Sequence, residues 1–245
     1  MLSNIKQVIK TIFLLFGIEI SHKNKVPVKF FEIDENFNRL YNLAQEKTQM
    51  TKSDNLSRRE RHYTLNQLLE RVSILDGNVV ECGCWRGLSA YQIAYRLKIN
   101  KFSNKFYIFD SFEGLSKFDE DDRPLNGLKD EEKRRKEFAC GEDIVKENLK
   151  EFDFISYNKG WIPTRFNEVK EKKFSLVHID VDMYQPILDT LMFFYERMLP
   201  GGIIVLDDYG FTYFPGAKKA TDEFMKDKKD FFIALSSGQA FIIKS

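Results

Sequence analysis

Strand-length apolar runs recur along the chain after residue 75, and helix-length segments such as 186–199 separate most of them. The runs predict strands at residues 79–81, 105–109, 152–157, 175–179, 203–206, 231–235 and 241–244. Strands that alternate with helices pair in parallel, whereas only the hairpin-length connection 236–239 lies between the last two runs. The pattern predicts an α/β fold with a Rossmann-like, doubly wound sheet, mostly parallel and closed by a C-terminal antiparallel hairpin.

Residues 1–75 show helical periodicity instead, most clearly over 37–44 and 63–72. Near the start of the chain, five apolar residues recur at helical spacing: Ile5, Ile9, Ile12, Phe13 and Phe16. The apolar run 12–18 is far shorter than the roughly 20 residues that cross a bilayer, so membrane association is not expected. We expect a helical extension or lid at 1–75, packed on its own domain or forming a homo-oligomer, and a catalytic domain at 76–245.

Composition narrows the class of protein. The chain has 245 residues and a formal net charge of +1, which gives no general attraction to nucleic acid or anionic lipid. The three cysteines are an odd set, and the positions of Cys82 and Cys84 in one strand-to-loop segment do not suit a disulfide. We expect reduced thiols, a cytoplasmic location and no nucleic-acid partner.

A heavily charged stretch spans residues 118–140 and alternates in sign over 129–137. Alternating charge is typical of a solvated helix. We therefore predict an exposed helix there, preceded by an acidic turn at 119–122 that is a candidate for a mobile flap.

Two acidic runs follow two neighbouring predicted strands. Asp180 and Asp182 come directly after one strand, and Asp207 and Asp208 directly after the next. Neighbouring parallel strands lie roughly 4.8 Å apart, so Asp180, Asp207 and Asp208 should converge at the carboxyl edge of the sheet, where open α/β sheets bind ligands. Crowded carboxylates suit a hard divalent cation such as Mg²⁺, Mn²⁺ or Ca²⁺, although polar residues that simply begin loops are the plainer alternative.

The turn after the first strand indicates the class of cofactor. Glu81 ends the strand, and Gly83 and Gly87 precede a helix, but the middle glycine of a dinucleotide-binding G-x-G-x-x-G turn is absent. Asp110 ends the next strand, where a carboxylate can accept hydrogen bonds from both hydroxyls of a ribose. This combination, without glycines for a diphosphate, favours S-adenosylmethionine.

Taken together, these motifs resemble the macrocin O-methyltransferase (TylF/MycF-type) family of S-adenosylmethionine- and metal-dependent sugar methyltransferases. The resemblance covers roughly residues 45–245 and is carried by segments 79–87, 109–115, 159–161, 178–184, 200–202 and 207–209. It implies a class I methyltransferase fold and a Mg²⁺ ion held by Asp180, Asp207 and Asp208. It also implies methyl transfer to the hydroxyl of a sugar-containing acceptor, either a natural-product glycoside or a surface-polysaccharide precursor.

The cofactor residues that we predict combine the turn with the resemblance. They are Met50, Thr51, Glu81, Gly83, Trp85, Gly87, Asp110, Ser111 and Trp161. Met50 and Thr51 match the usual Met-Thr pair of the family's cofactor-covering segment, and Trp161 either lies against the adenine or is a rim aromatic in simple packing. The chain departs from the family over residues 1–40, where no clear match is found.

The expected reaction requires a base, because a sugar hydroxyl holds its proton tightly at neutral pH. A divalent cation lowers the pKa of a bound hydroxyl. We interpret Asp180 as both a ligand and the general base, and Asp182 as a residue positioned for the acceptor hydroxyl. His178 is the second candidate for the base, with a buried structural histidine as the plainer interpretation.

Two alternatives compete with methyl transfer. Asp180-Val181-Asp182 is a D-x-D motif, the metal-and-diphosphate clamp of many glycosyltransferases, but that function would leave the Glu81 turn and Asp110 unexplained. The other alternative is a binding subunit that keeps the fold and lacks catalysis, which the intact carboxylates disfavour.

Overall fold

The computed structural model describes residues 27–124, 127 and 130–245, together with Lys6, Ile9, Thr11 and Phe13. The amphipathic helix expected at the start of the chain, and the oligomer contact attributed to it, lie largely outside these residues. The chain divides into one unit at Met1–Asp34 and a second at Glu35–Ser245. In the first unit, helix α1 is described at Phe30–Ile33. The boundary expected at residue 75 stays a prediction.

The second unit contains the sheet and the helices around it. Its described α-helices are α2 (Glu35–Lys47), α3 (Leu56–Val72), α4 (Leu88–Ile99), α5 (Glu131–Lys136), α6 (Glu142–Asn148), α7 (Tyr184–Phe194) and α8 (Pro215–Met225). Its described strands are β1 (Asn78–Cys82), β2 (Phe106–Asp110), β3 (Ile155–Lys159), β4 (Phe174–Ile179), β5 (Met198–Leu206), β6 (Phe231–Ala234) and β7 (Ala240–Ile243). Short 3₁₀ helices lie at Thr51–Ser53, Phe166–Val169 and Tyr195–Arg197.

The strands form one sheet in the order β3-β2-β1-β4-β5-β7-β6. The first five strands are parallel, and β7 runs antiparallel to both β5 and β6. The predicted fold class is therefore confirmed. In the register, Cys82 lies beside Phe109 and Ile179, and Ile179 lies beside Leu206. The side chains that follow these residues consequently meet at one edge of the sheet.

The core explains why these segments take this arrangement. Every residue of β4 is buried, which is typical of a central parallel strand covered on both faces. Helix α7 buries Ile187, Leu191 and Phe194 at helical spacing. The Phe194 ring lies 4.9 Å from the Phe166 ring and 5.0 Å from the Phe174 ring, in the edge-to-face geometry that aromatic pairs prefer.

Helix α3 packs against α4 and β5 within the same unit. Its buried apolar residues Leu65, Leu69 and Val72 recur at spacings of four and three, which define one face of a helix. This packing holds the first two turns of α3 at the carboxyl edge of the sheet. Arg58, Arg61 and His62 line a cavity there.

Some predicted boundaries were wrong. The helix expected at 186–199 ends at Phe194, and after one 3₁₀ turn β5 begins at Met198. The tripeptide at 200–202 lies inside β5. The register between β4 and β5 is irregular there, since Phe174 pairs with Met198 but Leu176, two residues later, pairs with Ile203, five residues later. A proline without an N–H and two glycines suit such an irregular insertion.

The third strand begins at Ile155 rather than at the predicted residue 152. Phe152 is buried although it lies before the strand. Because it is apolar, the sequence pattern placed it in the strand. No helix in the described part of the chain combines the length and the apolarity required to span a membrane.

Candidate active site

A cavity of about 400 Å³ opens at the carboxyl edge of the sheet. Residues after β1, β2, β3, β4 and β5 line it, together with the start of α3 and part of α5. The predicted site residues that line it are Met50, Gly83, Trp85, Asp110, Ser111, Trp161, Asp180, Asp182, Asp207 and Asp208. Those absent from its described lining are Thr51, Glu81, Gly87 and His178.

The turn after β1 lies directly against the end of β4. Gly83 has a φ of +81°, and a Cβ at this position would overlap the carbonyl oxygen of Asp180. The N–H of Asp180 donates to the carbonyl of Cys82 over 2.9 Å. Glycine is therefore required at position 83 for both its backbone conformation and its lack of a side chain.

Two backbone N–H groups hold the Asp110 carboxylate. Cys84 donates to Oδ2 and Phe112 donates to Oδ1, each over 2.7 Å. Ser111 is fixed beside it, since its hydroxyl donates to the carbonyl of Gly114 over 3.0 Å. Each oxygen of Asp110 can accept further hydrogen bonds, so the carboxylate is oriented and still able to bind a ligand.

Aromatic side chains form much of the cavity wall. The Trp85 ring lies 5.5 Å from the Phe138 ring, and Trp161 is 36% exposed just beyond β3. Met50 is buried and lines the wall, whereas the neighbouring Thr51 is exposed at the start of a 3₁₀ helix. Gly87 precedes α4 in a left-handed conformation and serves the turn rather than the cavity surface.

The three carboxylates predicted to converge do so. Asp180, Asp207 and Asp208 each offer an oxygen within 4.8 Å of the other two. Burial, followed by the charges of Asp182 and Asp180, raises the pKa of Asp208 well above its ordinary value. Clustered hard oxygen donors whose charges destabilise one another fit the ligand set of Mg²⁺ or Mn²⁺.

Asp207 is oriented by groups from two other elements and lies next to a third. Its Oδ1 accepts a hydrogen bond from Gln239 over 2.7 Å, and its Oδ2 forms an ion pair with Arg61. The His178 Nε2 lies 3.5 Å from Oδ1, and the His178 Nδ1 lies 2.9 Å from Glu81 Oε1. Burial raises the pKa of Glu81, while the hydrogen bond with His178 opposes that rise. Both His178 and Glu81 are buried behind Asp207.

Asp182 lines the cavity without belonging to the three-carboxylate cluster. Its φ of +58° places it in the left-handed region, which is uncommon for a residue with a side chain. Burial, and then the charge of Asp180, raises the pKa of Asp182 to about 7. With no cation bound, a pKa of about 7 would allow Asp182 to exchange a proton near neutral pH.

Several lining residues were missed by the sequence analysis: Arg58, Arg61, His62, Arg134, Phe138, Phe211, Tyr213 and Phe214. Arg134 lies in the charged stretch that we expected to be wholly solvated, yet its guanidinium forms part of the wall. The Arg61 guanidinium lies 4.9 Å from the centroid of the Phe211 ring. The sequence features closest to a signal are the pair Arg134 and Phe138 within the charged stretch and the aromatic run at 211–214.

A family model described as Macrocin-O-methyltransferase (TylF) matches residues 23–231. The chain belongs to this family. The resemblance drawn from the motifs is therefore confirmed, but the match begins at residue 23, within the stretch 1–40 where we expected no clear match. The family match also favours methyl transfer over the glycosyltransferase interpretation of the D-x-D motif.

Named relatives agree with this assignment. The chain is 26% identical over 153 residues to demethyldecarbamoylnovobiocin O-methyltransferase of Streptomyces niveus, covering 60% of this chain and 58% of the relative. It is 26% identical over 167 residues to mycinamicin III 3''-O-methyltransferase of Micromonospora griseorubida, covering 60% of each. These matches thus span about three fifths of the relatives' length.

Solved structures support the same fold. The O-methyltransferase NovP superposes with a TM-score of 0.63 at 24% identity, covering 76% of this chain and 79% of that one. A calicheamicin methyltransferase superposes with a TM-score of 0.65 at 16% identity, covering 92% and 98%. The fold of this TylF-family chain is accordingly that of O-methyltransferases.

Proposed function

We propose that this protein is an S-adenosylmethionine- and divalent-cation-dependent O-methyltransferase that acts on a hydroxyl of a sugar-containing small molecule. Family membership and the names of the relatives support O-methyl transfer. The observation that carries the proposal is the meeting of two polar sites in one cavity. The oriented Asp110 carboxylate and the cluster of Asp180, Asp207 and Asp208 both line it.

The first of these sites suits S-adenosylmethionine. The free lone pairs of Asp110 would accept hydrogen bonds from the ribose hydroxyls, and Gly83 lets the backbone pass close to the ligand. Met50 and Trp161, which are far apart in the sequence, both line the cavity and would contact the cofactor. When bound, the cofactor supplies a methyl group on a sulfonium, which needs no further activation.

The second site suits a divalent cation. Asp180 and Asp208 would bind it directly, and Asp207 would be oriented toward it by Gln239 and Arg61. A bound cation supplies Lewis acidity that lowers the pKa of an acceptor hydroxyl. His178 would support Asp207 by packing behind that carboxylate rather than by a hydrogen bond.

We assign the proton transfer to Asp182. An oxygen of Asp180 belongs to the converging set, and a carboxylate that binds a cation is a weak base. Asp182 lines the cavity beside that set, with a pKa that burial raises to about 7. A cation on the neighbouring carboxylates would lower this pKa and leave Asp182 ionised, ready to accept the hydroxyl proton. This moves the base from Asp180, the sequence-based choice, to its neighbour.

The proposal is tested by binding, which needs no known acceptor. S-adenosylhomocysteine should bind the wild-type chain in calorimetry, and Mn²⁺ should bind in an electron paramagnetic resonance titration. The double change Asp207→Asn with Asp208→Asn should weaken Mn²⁺ binding by at least about 100-fold, given that loss of groups that merely support ligands costs about 10–100-fold. The affinity for S-adenosylhomocysteine should stay within about twofold.

Asp189→Asn is the matched control, because Asp189 is on α7 outside the described lining of the cavity and accepts a hydrogen bond from Gln185. It should change neither affinity. Failure of S-adenosylhomocysteine to bind would refute the methyltransferase proposal, and unchanged Mn²⁺ binding in the double variant would refute the metal site.

A further inference from the structure

Guanidinium groups and aromatic rings alternate around the mouth of the cavity. The Arg58 guanidinium lies 5.8 Å from the Trp85 ring centroid, and that ring lies 5.5 Å from the Phe138 ring. Arg134 lies 5.1 Å from the Phe138 centroid and 4.8 Å from the Tyr213 centroid. We call Arg58, Trp85, Phe138, Arg134 and Tyr213 the rim ladder. All five line the cavity.

Stacking holds the guanidinium of Arg134 in a defined place. Besides the two rings of the ladder, Phe214 lies 5.5 Å from it, so three aromatic rings surround the group. Its Nη1 donates to Glu137 over 2.6 Å, and its Nε is buried with no hydrogen-bond partner. A buried N–H without an acceptor costs free energy, and a bound ligand oxygen would remove that cost.

Carboxylates and guanidiniums both line the cavity. Asp207 and Asp208 are buried, whereas Arg58 and Arg134 are partly exposed. The carboxylates would repel an anionic group, and a fixed planar guanidinium binds phosphate in bidentate fashion. An acceptor that contacts both kinds of group therefore presents an uncharged sugar to the carboxylates and a phosphate group to the guanidiniums.

We propose that the rim ladder binds the phosphate group of a phosphorylated acceptor sugar, most simply a sugar carried on a nucleoside diphosphate. The aromatic rings beside the guanidiniums suit the base and ribose of a nucleotide. The inference rests on the proposed function, because the methylated hydroxyl must lie near the carboxylates of the cavity. Its distinctive claim is an anion site built from Arg58 and Arg134.

Calorimetry on the complete chain, saturated with S-adenosylhomocysteine and free of divalent metal, tests the anion site directly. The probes are uridine diphosphate, inorganic pyrophosphate and uridine. Uridine diphosphate should bind at least about tenfold more tightly than uridine, and its affinity should fall as salt rises. Comparison with pyrophosphate distinguishes the source of the phosphate. A tighter nucleotide indicates a nucleoside diphosphate sugar, and equal affinities indicate a sugar phosphate without a base.

Variants locate the site. Arg134→Met keeps the length and packing of the side chain and should weaken uridine diphosphate binding by at least about tenfold, whereas Arg134→Lys should lose less because it keeps the charge. Lys136→Met is the matched control, since Lys136 lies two residues away on α5, pairs with Glu132 and is 69% exposed in its side chain. It should bind as the wild type does.

The outcomes separate this inference from the proposed function. If S-adenosylhomocysteine binds but uridine diphosphate and pyrophosphate bind no better than uridine, the anion site is refuted and the methyltransferase proposal stands. Wild-type affinity in Arg134→Met would equally refute it. If S-adenosylhomocysteine does not bind, the proposed function fails first.

Discussion

Asp110 illustrates how a single carboxylate can be oriented before any ligand arrives. Backbone N–H groups from two different turns fix its oxygens, and neither turn belongs to the strand that carries it. Such fixed acceptors lose little conformational entropy on binding, which favours affinity.

Replacing Asp110 by Ala should weaken S-adenosylhomocysteine binding. Hydrogen bonds to a charged group contribute about 1.5–3 kcal/mol, which corresponds to roughly 10–150-fold in affinity. Calorimetry measures the change, and Asp153→Ala, an exposed aspartate outside the cavity, is the control. Equal affinities in the two variants would mean that the ribose lies elsewhere.

Substitutions at Asp182 and at Asp180 should have different effects on turnover and on metal binding. Asp182→Asn should lower kcat by about 10²–10⁴ while leaving Mn²⁺ affinity nearly unchanged, because the amide cannot accept a proton and the residue is outside the ligand set. Asp180→Asn should lower both quantities. The measurements are kcat at saturating metal and the Mn²⁺ titration. Substantial turnover in Asp182→Asn would return the base to Asp180.

The sequence predicted the acidic residues of the cavity but not the basic ones, and the reason is physical. Parallel strands end at a common edge, so a polar residue after each strand can be placed by register alone. Arg61 and Arg134 come from helices whose approach depends on tertiary packing. A charge on a helix looks the same in the sequence whether it meets solvent or a cavity.

At the scale of elements, the acidic turn before α5 is tied to the start of α7. The N–H of Tyr184 donates to Asp122 over 2.6 Å, and a Cβ on Gly216 would overlap the same carboxylate. Asp122 is 1% exposed. The turn that we expected to be a candidate flap is therefore packed at Asp122, and its mobility stays untested.

This packing predicts a pH-dependent stability. Burial raises the pKa of Asp122 to about 6, above its unfolded value. The hydrogen bond from the Tyr184 N–H opposes this rise, and the charge of Asp119 adds to it. The folded chain thus binds this proton more tightly, so the ionised form costs stability at neutral pH and the cost shrinks as pH falls through 6 toward 4.

Asp122→Asn should consequently raise the free energy of unfolding by about 1–3 kcal/mol at pH 7.5, because the amide oxygen still accepts the Tyr184 N–H without a buried charge. The gain should vanish near pH 4. Denaturant melts across this range, with Asp153→Asn as the control, measure it. A gain that does not depend on pH would contradict the assignment.

Element boundaries show where local pattern fails. The sequence predicted a strand at 203–206 because these residues form an apolar run, and all of them are buried in β5. The first half of β5 was not predicted, since Pro200 and the two glycines after it are typical of the end of a helix. Its assignment as a strand depends on distant partners: Met198 pairs with Phe174 of β4, and Gly201 and Gly202 form backbone hydrogen bonds with Lys244. The order of the strands in the sheet likewise depends on tertiary packing. The parallel pairing of the strands, by contrast, could be predicted from the alternation of strands and helices in the sequence.

At the scale of the whole molecule, the described cavity lies entirely within the unit Glu35–Ser245. A fragment of residues 35–245 should therefore bind S-adenosylhomocysteine within about threefold of the complete chain. A fragment of residues 76–245 lacks Met50, Arg58 and Arg61 and exposes the apolar surface under α3.

The shorter fragment should bind at least about tenfold more weakly or aggregate, because burial of α3 contributes to both the core and the cavity. Calorimetry and size-exclusion chromatography compare the two. Normal binding by residues 76–245 would show that the helical extension is dispensable for the cofactor.

The packing of Gly83 on the Asp180 carbonyl limits how the proposed activity could diversify. It couples the proposed cofactor turn to the first carboxylate of the proposed cation site, since a side chain at position 83 would overlap that carbonyl. A change in the methylated hydroxyl would therefore come from residues that orient the acceptor. Tyr213 and Arg134 line the cavity on other segments, so substitutions there can alter the acceptor's orientation without changing the contact between Gly83 and Asp180.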